Sequence, residues 1–569
     1  NWPRCIQIAW QLHDEMGKLI EHQDYLVKPD GFNIPYDAER IHGISTELAE
    51  VEGISLSEVL EKFNIALSKS KFIVGQNLGF DVNIMGCEFY RMGIASPMSE
   101  MPILDTCTEV TASLLKLPGG RGGKFNLPTL TELHSYLFNK PFAEAHNATA
   151  DVEATTRCFL ELIRREVFTK QELEVEASYF QEFQSKNPRE ITSIGIKHVN
   201  LKEESDKIRQ QLGDKQSAPI SKSELTENKQ ILVDADFVHL HNHTQFSVLQ
   251  STISVAALVK AAVQQKMPAV AMTDHANLMG AFHFVRDILY HNKSAKAKNE
   301  AAIANGEEPS EVEMKPIVGC EFFVCEDHKN KSVKDNGFQI VLLAKTKKGY
   351  HNLAKMSSIA YTEGFYYVPR IDKKVVEQYK EDLIVLSGNL YGEIPSKILN
   401  VGENQAEEAL VWWKQQFGDD CYIELMRHNQ EDENRVNESL VSLARKHEVK
   451  LIATNNIFYI DKENANAHDI LLCVKEGEKQ TTPIGRGRGY RFGLPNQEYY
   501  FKSGEEMKKL FNDLPEAISN ISEIVDKIEI YDLARDVLLP KFEIPTEFED
   551  PEDAKDGGVR GENAYLRHL

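Results

Sequence analysis

Two α/β units separated by a polar stretch are predicted by three observations. Short β-branched runs alternate with stretches of helical periodicity over residues 1–168. The same alternation recurs over 236–540, and residues 169–235 between them are polar and charged. Such alternation reads as βα units feeding a mainly parallel sheet or barrel. With 569 residues there is material for several domains and more than one core.

In the first unit, residues 5–12 alternate as a strand and 19–27 form a second. Residues 57–69 have helical periodicity with Ser57 as N-cap. Residues 71–75 make a short apolar strand leading into a helix from about Phe80. The last helix, 151–165, places Val152, Thr155, Phe159 and Leu162 on one face. Residues 169–235 read as linker, with a helical piece near 172–183. The second unit has strands at 237–241, 269–273, 340–344, 383–386, 422–425 and 450–454. Within it, the alanine- and glutamate-rich segment 291–315 reads as a surface insertion. Residues 541–569 are acidic and proline-containing, with a helical start at 562–569.

Composition narrows the function classes. A hydrophobic fraction of 42% with 27% charged residues is ordinary for a globular protein. No apolar run of about 18 residues exists, so no segment reads as a membrane span. Eight cysteines without a CxxC pair suit a reducing, cytoplasmic compartment rather than a disulfide scaffold. The net charge of −22 excludes a chain that grips nucleic acid by bulk electrostatics. Nucleic acid would have to enter a local site where metal ions offset its phosphates.

Asp81 follows a strand at a helix start, and about 65 residues later come His146 and, opening another helix, Asp151. Clustered carboxylates are what two-metal phosphodiester hydrolysis needs, and oxygen ligands suit Mg²⁺ or Mn²⁺. A histidine of near-neutral pKa suits deprotonation of the attacking water. Gln76, Asn77, Phe80 and Asp81 resemble the second motif of the DnaQ-like (DEDDh) exonucleases, and His146 with Asp151 resembles the third. The runs 41–45, 105–106 and 127–130 follow that family's succession. The resemblance, over 1–168, implies a ribonuclease-H-like exonuclease domain acting on a DNA 3′ end. It implies Asp81 and Asp151 as metal ligands, His146 as general base, and Asn77 and Phe80 near the terminal nucleotide. The family's opening strand with its Asp-x-Glu pair would precede Pro3, so the sequence reads as a fragment that binds metal poorly and cuts slowly by itself.

His239, His241 and His243 recur at period two, on one face if the segment is a strand. Two imidazoles from such a segment suit zinc or a similar ion. Residues 238–247, Thr273-Asp274-His275 and 315–323 resemble the PHP (polymerase and histidinol phosphatase) domain, more narrowly that of bacterial DNA polymerase III alpha subunits; so do 341–344, 386–394, 452–455 and 500–507. The resemblance, over 236–569, implies a PHP-type α/β barrel-like domain at 236–540, with 541–569 starting the connection to a polymerase core. Carried over singly, His241, His243, His275, Glu321 and His428 remain as ligands of a trinuclear site. Gln250, Gln339, Asn456 and Phe458 stand where ligands are expected. Amides replace carboxylate and imidazole poorly, so the site should hold at most one weak ion and serve as scaffold. Family kinship further implies a primer-template 3′ end, a sliding clamp and other replisome subunits as partners, and no membrane. A non-catalytic scaffold, or a metal-dependent PHP phosphoesterase, is the alternative.

Three weaker signals remain. The Gly-Arg run at 484–491 reads as a solvated loop, and Trp412–Trp413 as core packing. The glycines at 118–123 read as a mobile loop near the nuclease cleft.

Overall fold

The computed structural model describes residues 3–118, 124–141, 147–197, 199–213, 228, 230–485, 489–535 and 542–569. In the first unit β1 (Gln7–His13) pairs antiparallel with β2 (Leu19–Leu26), Ala9 opposite Asp24. The helices α1 (Tyr36–His42), α2 (Thr46–Glu52) and α3 (Leu56–Leu67) follow. Next, β3 (Ile73–Gly75) pairs parallel with β4 (Ile103–Asp105) across α4 (Leu78–Met92). Then come α5 (Glu109–Leu115), α6 (Leu130–Phe138) and α7 (Ala148–Arg164). Among the described residues each ladder holds two strands, so β1 and β3 each keep one edge without a strand partner. Helix α7 packs against both β1 and β3.

Caps and packing shift two expected details. Ser55, not Ser57, caps α3 by accepting from Glu58 N–H, because the helix starts at Leu56. Helix α7 starts three residues before Asp151 and buries Ala150, Ala154, Cys158 and Leu162, whereas Val152, Thr155 and Phe159 are half-buried. Small residues at i, i+4 spacing let a helix approach closely, and propensity alone does not announce that.

The stretch expected as linker is largely folded onto the first unit. Helix α8 (Ser178–Lys186) buries Phe183 with Leu133, Cys158 and Leu162. Two buried carboxylates of α7 hold the strand-like tail: Glu161 accepts from Ile191 N–H (3.1 Å), and Glu153 from Gly195 (2.7 Å) and Ile196 (3.2 Å). Helix α9 (Leu201–Gly213) seats on α2, Ser205 Oγ accepting from Ser45 N–H and donating to Gly43 O. Polar anchors of this kind replace the apolar periodicity that marks a domain in sequence.

The second unit has a seven-stranded sheet in the order β11-β10-β9-β7-β6-β5, with β8 beside β6. Its strands are β5 (Ala269–Met272), β6 (Lys315–Cys325), β7 (Phe338–Ala344), β8 (Arg370–Asp372), β9 (Leu383–Leu386), β10 (Cys421–Met426) and β11 (Lys450–Thr454). All pairs are parallel except those of β7, which runs antiparallel to both β6 and β9. Residues 237–241 form no ladder, contrary to expectation. The chain here runs between β5 and the segment that follows β11: His239 O accepts from Ala271 N–H of β5 (3.0 Å), and His243 N–H donates to Ile457 O (3.0 Å). This bridge curls the open sheet toward a half-barrel.

Residues 291–304 continue a long helix, Ala281–Ala304, rather than an insertion. Buried Asn292 clamps the returning chain through both Met314 N–H and Met314 O, each at 2.8 Å. Among the described residues no helix is long and apolar enough to cross a membrane.

One ionic cluster gives a pH prediction. Glu523, on the helix Pro515–Lys527, accepts from Tyr422 Oη (2.7 Å) and pairs with Lys450 and Lys527. Burial opposes its ionisation, but Lys450, Tyr422 and Lys527 hold the carboxyl down to about 2. A depressed folded pKa contributes stability above the unfolded value of 4.5, lost as pH falls toward 2. The wild-type urea midpoint should therefore fall more steeply across that window than that of Glu523→Gln; parallel curves would contradict the assignment.

Candidate functional site

Strand β4 ends in Asp105 opposite Gly75 of β3. The chain then turns through Asn77, which sits in the left-handed region (φ 61°, ψ 45°) and caps α4 without a side-chain bond. Asp105 does that work from the neighbouring strand, its carboxylate accepting from Asn77 N–H (2.8 Å), Leu78 N–H (2.9 Å) and Cys107 N–H (2.7 Å). A Cβ at Gly75 would meet Leu78 Cδ2 at 2.4 Å, so any larger residue there would force the Leu78 side chain to move. Phe80 and Asp81 thus occupy the first turn of α4, Phe80 with its ring 50% exposed.

Asp151 arrives from α7, whose start is tied to the β1–β2 hairpin. Gln7 Oε1 accepts from Ala148 N–H (3.3 Å), and the Asp24 carboxylate accepts from Thr149 Oγ1 and from Gln7 Nε2 (3.0 Å). Burial first, then the like charges of Asp105 and Asp151, raise the Asp81 carboxyl above the usual carboxylate range. Asp81 thus feels the charges of both Asp151, from α7, and Asp105, at the end of β4. Like-charge repulsion between partly buried carboxylates is relieved by cations. His146 lies outside the described residues, as do 119–123 of the glycine run.

In the second unit, ligand atoms of His241, His243 and Glu321 lie within 4.8 Å of one another, all buried. His241 Nδ1 donates to Glu424 (2.8 Å), which also accepts from Gly388 N–H (3.1 Å) and Thr454 Oγ1. Glu321 stands 2.5 Å from His275 Nε2, 3.3 Å from His241 Nε2 and 3.7 Å from His243 Nε2. These contacts are ionic in distance but lack hydrogen-bond geometry, which leaves His241 Nε2, His243 Nε2 and Glu321 Oε2 unsatisfied. Burial disfavours an imidazolium at His241, but Glu424 and Glu321 override it and push the group to about 10. Burial and the neighbouring His275 hold His243 far below its ordinary value. Two imidazoles and a carboxylate converging with unsatisfied atoms form a donor set that fits one divalent ion.

The rest of the expected ligand set is engaged elsewhere. His428 gives Nδ1 to Glu433 (2.6 Å), accepts from Asn456 N–H at Nε2 (3.2 Å) and stacks on Tyr499, so it does not join the cluster. His275 contacts Glu321 but stacks against His243, ring centroids 4.2 Å apart. Phe458 also stacks on His243, at 4.6 Å and 4° between planes. Gln250 Oε1 accepts from Lys475 (3.3 Å), and Gln339 Oε1 from Asn389 (2.8 Å). His239 points away to Lys502 O (2.7 Å) and packs on Phe501, because an irregular segment does not keep period two.

Asp274 holds the 243–247 loop, accepting from Thr244 N–H and Oγ1 (both 2.6 Å) and Ser247 Oγ (2.7 Å). A second acidic-histidine group, Asp327, His328 and Asp372, is a loop anchor. There His328 Nδ1 donates to Asp372 (2.6 Å), and Asp372 caps the helix Lys373–Tyr379. In the Gly-Arg run Arg491 is buried against Asp469 (2.7 and 2.9 Å), while 486–488 lie outside the described residues. Trp413 packs in the core and donates to Glu393 (2.8 Å).

Comparison with known proteins agrees with this geometry. Residues 4–159 match the family described as exonuclease, and 239–428 the PHP domain. The chain is 36% identical over 338 residues to the DNA polymerase III subunit alpha of Borreliella burgdorferi, covering 58% of this chain and 26% of that protein. The Aquifex aeolicus subunit is 36% identical over 328 residues (54% and 26%). That of Campylobacter jejuni is 33% identical over 355 residues (59% and 27%). The chain thus spans about a quarter of the length of these relatives. It joins an exonuclease domain to a PHP domain, and over more than half its length it is homologous to bacterial DNA polymerase III alpha subunits.

Proposed function

We propose that the first unit is a 3′→5′ exonuclease that removes mispaired nucleotides from a DNA primer end. In the full-length protein it would serve a replicative DNA polymerase of the polymerase III alpha kind. What supports this reading is that Asp105, from the end of β4, holds the first turn of α4 that carries Asp81 (2.8 and 2.9 Å to Asn77 and Leu78 N–H), while the charge of Asp151 on α7 helps to raise the Asp81 carboxyl. The unpartnered edges of β1 and β3 suit one further strand bearing an Asp-x-Glu pair. Mg²⁺ or Mn²⁺ held by these carboxylates would supply an activated water and neutralise charge at the leaving oxygen. Asp81 and Asp151 act as ligands, His146 accepts the water proton, and Asn77 and exposed Phe80 border the terminal nucleotide. Partners would be the primer-template, a sliding clamp and other replisome subunits, in the bacterial cytoplasm. The test is release of nucleotides from a mispaired primer by the full-length protein with Mg²⁺ or Mn²⁺.

For the second unit we infer a scaffold that holds at most one weak ion at His241, His243 and Glu321. Phe458, stacked flat on His243, occupies space a larger metal cluster would need. Metal analysis of the purified chain should find no more than one ion per molecule, removed by EDTA and absent from His241→Ala. Several tightly held ions, with phosphoester hydrolysis lost in His241→Ala, would instead favour a PHP phosphoesterase.

A further inference from the structure

The two units meet through a compact ionic seat. From the first unit, α1 presents Tyr36, Glu39 and Arg40 to the helix Glu431–His447 of the second. Tyr36 packs into the main core of the second unit, and burial, together with the acidic pair Glu431 and Asp432, pushes its hydroxyl pKa up. Arg40 attracts Asp432. Beside them Asn33 N–H donates to Val401 O (2.9 Å). At the centre, two arginines alternate with two glutamates. Arg435 pairs with Glu39 (3.0 Å) and Glu47 (3.6 Å), and Arg209 of α9 with the same Glu39 (2.6 Å) and Glu47 (3.3 Å). Glu39 is only 7% exposed and is paired with both guanidinium groups. Two residues before Arg435, Glu433 grips His428 by its backbone N–H and its ring.

We propose that this four-residue seat is the surface by which the first unit docks on the second, and that docking sets the position of His428 through the helix Glu431–His447. The helix is the physical link: its first turn holds His428, and its next turn is held by Glu39 and Glu47. Helix α9 completes the seat from the segment that composition marks as linker. Its Arg209 pairs with the same two glutamates as Arg435, so loss of either arginine leaves Glu39 under-compensated. This inference is independent of any nuclease activity.

Hydrogen exchange and calorimetry on the whole chain test it. Glu39→Gln lies in the first unit and removes a charge of the seat itself, so its effect on the second must cross the contact between the units. Amides of residues 428–436 should exchange on the order of tenfold faster in that variant, and a single thermal transition should split into two. Arg435→Gln, altered from the other side, should reproduce both effects, and Arg435→Lys should restore part of the protection. Glu58→Gln, which removes an exposed pair with Lys62 in α3, serves as control and should change neither readout. Unchanged exchange at 428–436 in Glu39→Gln, or two separate transitions already in the wild-type chain, would overturn the proposal.

Discussion

His146→Ala in the full-length protein should lower excision of a 3′-mispaired nucleotide by about 10²–10⁴-fold, the range for loss of a general base. The thermal midpoint should change little, because the residue's assigned work is proton transfer from water rather than packing. Binding of the primer end should survive, since Asn77, Phe80, Asp81 and Asp151 remain, so the loss should fall on kcat rather than KM. Pre-steady-state excision at saturating primer-template measures this directly. Undiminished excision would place the base on another residue.

The largest stability effect is expected at Glu321. Its carboxylate is buried, lies among three imidazoles and accepts from Asn389 Nδ2 (3.1 Å). Burial opposes its ionisation, but His275 and His241 hold the carboxyl well below its ordinary value. Glu321→Ala would leave the buried His241 imidazolium without one of the two carboxylates that compensate it. Breaking a buried pair in this way costs about 3–5 kcal/mol. Metal-free Glu321→Ala should therefore unfold at distinctly lower urea than metal-free wild type, as followed by circular dichroism. Equal midpoints would mean that the imidazoles are neutral and that Glu321 is not their anchor.

Much of the second unit is legible in sequence because its strands are buried on both faces and read as unbroken β-branched runs. Residues 450–454 are such a case, and the structure has a strand at Lys450–Thr454. The reversal of β7 is not legible, since a short apolar run carries no direction. Nor is the bridge at 239–243, whose hydrogen bonds go to β5 and to Ile457 beyond β11, both distant in sequence. That irregularity also explains why His239 leaves the cluster while His241 and His243 stay. His428 was readable as a ligand by resemblance, yet Glu433 five residues on claims its ring, a contact no spacing rule foretells. In the first unit Asp105 caps α4 from 28 residues away, so its role appears only when β3 and β4 are side by side. The folded part of 169–235 escaped notice because a few apolar side chains and two buried glutamates anchor it.

The central claim is that Asp81 and Asp151 jointly hold divalent ions for hydrolysis at a DNA 3′ end. The most direct test measures nucleoside 5′-monophosphate released from a mispaired primer by full-length wild type, Asp81→Ala and Asp151→Ala. The account predicts release by wild type only with Mg²⁺ or Mn²⁺ and its loss in both variants. Release that persists in either variant would contradict it, as would none from the wild-type protein with either ion.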